Sequence, residues 1–268
     1  EDLDNIRLAL DWSLAPACEN GLRLCLNTWG GIHLRQSPEF LAWLDRLLAA
    51  EAAETAAQGN RPRAPERLVL RGSALNLILH MRTFWGQPEQ AIRAGLESKA
   101  IFEGLGEPGQ GYLAETLANL GTAIMVSDPQ QSQHYLESCL ELLKRHENPD
   151  TFTYCLKVLG NLFGYLGDQE KARRFFEDGL RSARAHEFWG HEAMLLNMLG
   201  WTEMLVGNPA RALELFEQGE AGYARIDSAD FVAGGMYDRS LVAWAQGDDE
   251  QVLRLGAEMQ AAGEQTGA

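Results

Sequence analysis

Residues 159–172 read Leu159-Gly160-Asn161-Leu162-Phe163-Gly164-Tyr165-Leu166-Gly167-Asp168-Gln169-Glu170-Lys171-Ala172. An apolar run at helical spacing is stopped by a Gly-Asp pair, and a second helical pattern starts at once. Glycine suits the left-handed residue that closes a helix, and aspartate is a strong N-cap for the next one. Forty residues on, Leu199-Gly200 leads through Gly207-Asn208 to Ala212, and forty further Gln246-Gly247-Asp248 leads to Val252. Upstream, Leu120-Gly121 leads through Asp128 to Ser132, one residue shorter, and Trp85-Gly86-Gln87 leads to Ala91. The small-residue position therefore falls at Ala91, Ser132, Ala172, Ala212 and Val252, with spacings of 41, 40, 40 and 40. A fixed period in this range marks a repeat architecture.

Each repeat decodes as a helical hairpin. Its first half carries Tyr154, Leu156, Val158, Leu159, Leu162 and Leu166 at helical spacing, and its second carries Ala172, Phe175, Phe176, Leu180 and Ala183 on one face. The small residue at 172 lets the two helices approach. Gly121, Gly160 and Gly200 stand inside helices, where each costs about 1 kcal/mol against alanine. Their recurrence points to close packing.

Leu-Gly, then a small residue, then an aromatic resembles the tetratricopeptide (TPR) family over residues 68–258, with 40 residues per repeat instead of roughly 34. That resemblance implies an all-α, TPR-like α-α superhelical solenoid, because a hairpin that cannot bury its face alone must stack on the next and leaves a concave groove. The expected organisation is N-terminal helices and a divergent hairpin over 1–58, an irregular loop at 59–66, and five repeats over 67–268, all continuous as one solenoid. Within the first part, residues 1–15 make an amphipathic helix (Leu3, Ile6, Leu10, Leu14) ended by Pro16. Segments 20–35 and 38–57 make a pair, with Ser37 as cap before Pro38 at the first helical position.

The opening Asp4-Asn5-Ile6-Arg7-Leu8-Ala9-Leu10-Asp11-Trp12, with Gly21-Leu22-Arg23-Leu24 and Trp43-Leu44…Leu47-Leu48, is similar to a phrase of one bacterial family. There it opens the C-terminal TPR region of STAND-type ATPase regulators, among them relatives of the maltose-regulon activator. The resemblance extends over nearly the whole chain. It implies a cytoplasmic sensor arm that binds an inducer or a partner protein, with the ATPase and effector domains upstream. The start at Glu1, with no basic region and apolar run behind it, fits a piece of a longer protein.

Composition narrows the partners. Of 268 residues 46% are hydrophobic, and 38 acidic against 23 basic side chains give a net charge of −15. Nucleic acid needs a basic stripe, and anionic membrane surfaces need the same, so direct contact with either is not expected. Cys18, Cys25, Cys139 and Cys155 have no C-x-x-C spacing and lie in apolar helical patterns, as free buried thiols do. No cofactor or metal is expected. Gly104-Leu105-Gly106-Glu107-Pro108-Gly109 matches G-x-G-x-x-G, but a helix precedes it and Pro108 interrupts it, so it reads as a loop between repeats. His186 and His191, five apart, fall on different sides of a helix and read as inter-repeat loop residues. Glu137/Glu141 and Glu214/Glu217 read as solvated faces. No nucleophile motif appears, and an enzyme is not expected.

The candidate site is the groove. Positions that line the concave face in TPR stacks fall here on Asn76, His80 and Phe84 in the first clear repeat. In the third they are Tyr154, Lys157, Asn161 and Tyr165; in the fourth, Asn197 and Trp201; in the fifth, Tyr237 and Trp244. Lys157 with Asn161 resembles the Lys/Asn pair with which chaperone-binding TPRs hold a C-terminal carboxylate, without the other basic residues of that clamp. Carboxamides and aromatics on one face suit an extended peptide or a polar small molecule. A free-standing peptide-binding adaptor is the alternative to the sensor arm, and self-association is compatible with either.

Overall fold

The computed structural model of the chain describes residues 2–14, 18–28, 38–57, 59, 63–225 and 229–266. These hold thirteen α-helices and one short 3-10 turn, and no strand. The helices are α1 (Asp2–Ser13), α2 (Cys18–Thr28), α3 (Pro38–Ala57), α4 (Pro65–Phe84), α5 (Pro88–Gly104), α6 (Gln110–Ile124) and α7 (Pro129–Leu143), then α8 (Pro149–Tyr165), α9 (Gln169–Ala185), α10 (Trp189–Leu205), α11 (Pro209–Arg225), α12 (Ala229–Gln246) and α13 (Asp249–Thr266). They fall into two compact units, Glu1–Glu147 and Asn148–Ala268.

The punctuation read from the sequence is what closes and opens the helices. Gly86, Gly167, Gly207 and Gly247 all take positive φ, between 66° and 84°. Asp128, Asp168 and Asp248 each accept the backbone N–H three residues on, at 3.0 Å. Asn208 differs, since its carboxamide donates to Glu203 Oε2 at 2.9 Å. The helix α4 begins at Pro65, so the last two residues of the expected 59–66 loop are helical. The proposed cap at Ser37 and residues 29–35 of the expected second helix lie outside the described residues.

The repeat glycines do pack closely. A Cβ on Gly160 would overlap the ring of Phe176, one on Gly200 would stand 2.5 Å from Phe216 Cε1, and one on Gly121 2.8 Å from Leu136 Cγ. Each glycine thus makes room for a large side chain of its own hairpin partner, whose burial contributes about 1.5–3 kcal/mol. In the first clear repeat the sizes are exchanged: Leu79 holds the glycine position, and Gly95 faces it.

In the first unit, α1 is fastened to α3 by the opening phrase. Arg7 donates from Nε and Nη2 to both oxygens of Glu39 at 2.8 Å and from Nη1 to Asp4 at 3.0 Å. Leu10 joins Phe40, Leu44 and Leu47 in the core. Below them the buried carboxylate of Glu51 receives Arg71 Nη1 at 2.8 Å and Arg63 Nε. Burial alone would raise the Glu51 carboxyl, but Arg63 and Arg71 hold it below the usual carboxylate range. In the second unit, Phe176, Leu180, Leu195 and Leu199 form the centre, and Ala212, Phe216 and Val242 continue it. All four cysteines are free and buried, and burial pushes the Cys25 thiol up to about 12.

Candidate functional site

In hairpins of this kind the first helices lie side by side, and their exposed faces are the candidate site. In the first unit these are α2, α4 and α6. Asn76, on α4, is buried and works between helices: its Nδ2 donates to Glu115 Oε1 at 2.9 Å, and its Oδ1 accepts from Asn119 Nδ2 at 3.0 Å. His80 Nδ1 lies 3.4 Å from Asn119 Oδ1, and its ring stands 4.9 Å from that of Phe84. Phe84 itself is exposed.

In the second unit the first helices are α8, α10 and α12. Lys157, on α8, is only 8% exposed; its Nζ rests 3.2 Å from Met194 Sδ on α10 and 4.5 Å from the centre of the Tyr154 ring. Burial pushes the Lys157 ammonium down to about 8, and Asp150 offsets part of that push. Asn197 is buried on α10. Its Nδ2 donates to Asp238 Oδ2 on α12 at 3.3 Å, and its Oδ1 is turned toward Gly219 of α11, into the hairpin. Trp201 stands edge-on to Phe216 with centroids 5.7 Å apart and hydrogen-bonds Asp238. Burial raises the Asp238 carboxyl to about 6, with that hydrogen bond pulling the other way.

The predicted residues therefore divide. Asn76 meets His80 and Phe84 through one network, Tyr154 meets Lys157, and Asn197 meets Trp201 through Asp238. Asn161, half-buried, and Tyr165, Tyr237 and Trp244, all exposed, enter no side-chain hydrogen bond or ring pair among the described residues. Glu115, Asn119, Met194 and Asp238 were not anticipated. Glu115 stands six residues before Gly121, as Tyr154 stands before Gly160, so the same count points to it, whereas Asn119, two before, lies off the counted positions; Asp238 carried the signal of an acid inside a largely apolar helix. His191, expected in a loop, stands in the first turn of α10 with Nε2 3.1 Å from Asp150 Oδ1. Among the described residues no group of three or more His, Cys, Asp or Glu side chains is placed to hold a metal ion. No helix among them is long and apolar enough to cross a membrane.

Solved structures share this fold. BtubC (BKLC) from P. vanneervenii is similar over 85% of this chain and 91% of its own, with a TM-score of 0.67 at 16% identity. The chain has the TPR-like helical-repeat fold. The Rap conjugation gene regulator of the plasmid pLS20, solved in complex with the Phr* peptide, is similar over 93% of this chain and 75% of its own, with a TM-score of 0.61 at 15% identity. A STAND protein with a TPR sensor from Pyrococcus horikoshii is similar over 92% of this chain but 38% of its own length, with a TM-score of 0.61 at 13% identity. No protein-family model matches the sequence, and no curated protein matches it.

Proposed function

We propose that the chain is a non-catalytic protein-interaction arm that takes an extended peptide segment on the first-helix face of its second unit. One observation carries this. The helices α8, α10 and α12 bring Lys157-Asn161-Tyr165, Asn197-Trp201-Leu205 and Tyr237-Leu241-Trp244 to neighbouring rows. The Asn161 carboxamide has no hydrogen-bond partner among the described residues, and Tyr165, Leu205 and Trp244, at the row ends, are 55%, 68% and 70% exposed. A free carboxamide offers one acceptor and a pair of donors, the complement of a peptide unit, and exposed rings take alternate side chains of an extended strand. That a similar fold has been solved with a peptide supports the reading. Peptides selected on the protein by phage display and measured by fluorescence anisotropy test it. Asn161→Ala and Tyr165→Ala should each weaken binding at least fivefold; the proposal fails if no peptide is selected or if both variants bind unchanged.

The opening phrase and the STAND sensor among similar folds support a cytoplasmic, STAND-type signalling or transcription regulator as the setting, with an inducer or partner read by this arm. An in-frame nucleotide-binding domain upstream of Glu1 in the gene is the expected finding. Its absence would leave the free-standing adaptor, which predicts instead that Lys157→Ala abolishes binding of a peptide with a free C-terminal carboxylate.

A further inference from the structure

The first unit holds a hollow of about 510 Å³ on its first-helix face, between α2, α4 and the start of α6. Its apolar lining comes from Leu26, Val69, Leu70 and the ring of Tyr112, and Tyr112 is fixed by stacking on Phe102 at 5.2 Å. Two opposite charges stand on it, Arg23 from α2 and Glu66 from α4, both exposed. Neither pairs with the other, and neither has an ion-pair or hydrogen-bond partner among the described residues. Elsewhere in this unit the arginines are mostly spent on carboxylates, as Arg7 is on Glu39, Arg71 on Glu51 and Glu97, and Arg82 on Asp45. Ser73 adds a neutral hydroxyl to the same wall. The volume is in the ordinary range for small-molecule sites, roughly 300–1,000 Å³.

We infer that this hollow binds a small zwitterion with an apolar side chain, a free amino acid or dipeptide, its carboxylate on Arg23 and its ammonium on Glu66. Arg23 offers a fork of donors matched to a carboxylate, and Glu66 offers acceptors to an ammonium. A ligand carrying a single charge would satisfy one of the two and face the other with like sign. A zwitterion is also neutral overall, so the chain's net charge of −15 does not repel it as it would a free anion. The inference is independent of the peptide site in the second unit.

Isothermal titration calorimetry of the whole chain with L-leucyl-L-leucine tests it. Wild type should bind, and Arg23→Gln and Glu66→Gln should each weaken binding at least tenfold. The C-terminally amidated dipeptide should bind less tightly and should not be weakened further by Arg23→Gln, which removes a like charge; the N-acetylated one should likewise not be weakened further by Glu66→Gln. Glu217→Gln, on an exposed face of the second unit, should leave all these affinities unchanged. Free L-leucine distinguishes the two ligand sizes, since a site for single residues binds it at least as well as the dipeptide. Absence of binding of either at millimolar concentration, or equal binding by wild type and both variants, overturns the assignment. Both side chains are exposed and have no partner among the described residues, so the variants keep the wild-type fold, checked by circular dichroism.

Discussion

Leu79 faces Gly95 where, at the same separation of sixteen residues, Gly160 faces Phe176 and Gly200 faces Phe216. One position of each pair must be large and the other have no side chain, and which is which has been exchanged in the first clear repeat. A hairpin of two helices has room for one such side chain at this crossing, and either helix can supply it. The Leu-Gly and aromatic signature thus reports a shared volume more than two fixed residue types.

That sharing sets the sign of a substitution. On helix propensity alone Gly160→Ala should stabilise by about 1 kcal/mol. Because the new Cβ meets the Phe176 ring, the expected outcome is a loss of about 1–3 kcal/mol, read from urea unfolding. Phe176→Leu in the same chain should recover part of it. A Gly160→Ala variant more stable than wild type would show that the ring can step aside.

Glu51→Gln should destabilise by about 3–5 kcal/mol, because it leaves Arg63 and Arg71 facing a neutral group in a buried place. The pH dependence follows from the same pairing. A carboxyl held below its usual range contributes stability that is present above about pH 4.3 and is lost as pH falls through the lowered value. Unfolding titrations from pH 6 to pH 3 should show a steeper loss for wild type than for Glu51→Gln.

Lys157→Met should stabilise the second unit at pH 7 by about 1–3 kcal/mol, since methionine fills the same space without an ammonium to desolvate. With the lysine lowered to about 8 by burial, both folded and unfolded chains carry its proton below that pH, and the cost is fully present. Between pH 8 and about 10.4 the folded chain gives up the proton first, so wild-type stability gains on the variant. The difference between the two, followed by urea unfolding, should shrink from pH 7 to pH 10.

Asp238 works in the opposite direction. Its carboxyl is raised to about 6 by burial, so its contribution is full below about pH 3.9 and is lost as pH rises through 6. Asp238→Asn keeps an acceptor for Asn197 and Trp201 and removes the titration. Relative to wild type it should gain on the order of 2 kcal/mol between pH 4 and pH 7. A difference that does not change over that interval would place the carboxyl in a well-solvated setting.

Much of the fold was legible because helix ends are local. Gly167 and Asp168 act on their own backbone neighbours, and the same chemistry recurs at Gly247 and Asp248, so a period of forty could be counted. The site was less legible, because the groove positions were counted without regard to depth. Asn76, Lys157 and Asn197 share a helix position, yet all three are buried between neighbouring first helices. Phe84, Tyr165, Tyr237 and Trp244 are the ones that face solvent. Nothing within one helix says which side chain its neighbour will cover.

The sequence by itself determined the all-α hairpin repeat, its glycine stops and Asp caps, and the need for close contact at Gly121, Gly160 and Gly200. These follow from φ preferences, capping hydrogen bonds and periodicity, which act over a few residues. Only the tertiary structure decided that Leu79 and Gly95 exchange roles, that Glu51 gathers arginines from the loop before α4 and from α4 itself, and that Lys157 ends on Met194 instead of in solvent. It also brought Arg23 and Glu66 to one hollow with no partner for either among the described residues. Packing and charge pairing join residues 12 to 41 positions apart, and which partners meet depends on how whole helices stack.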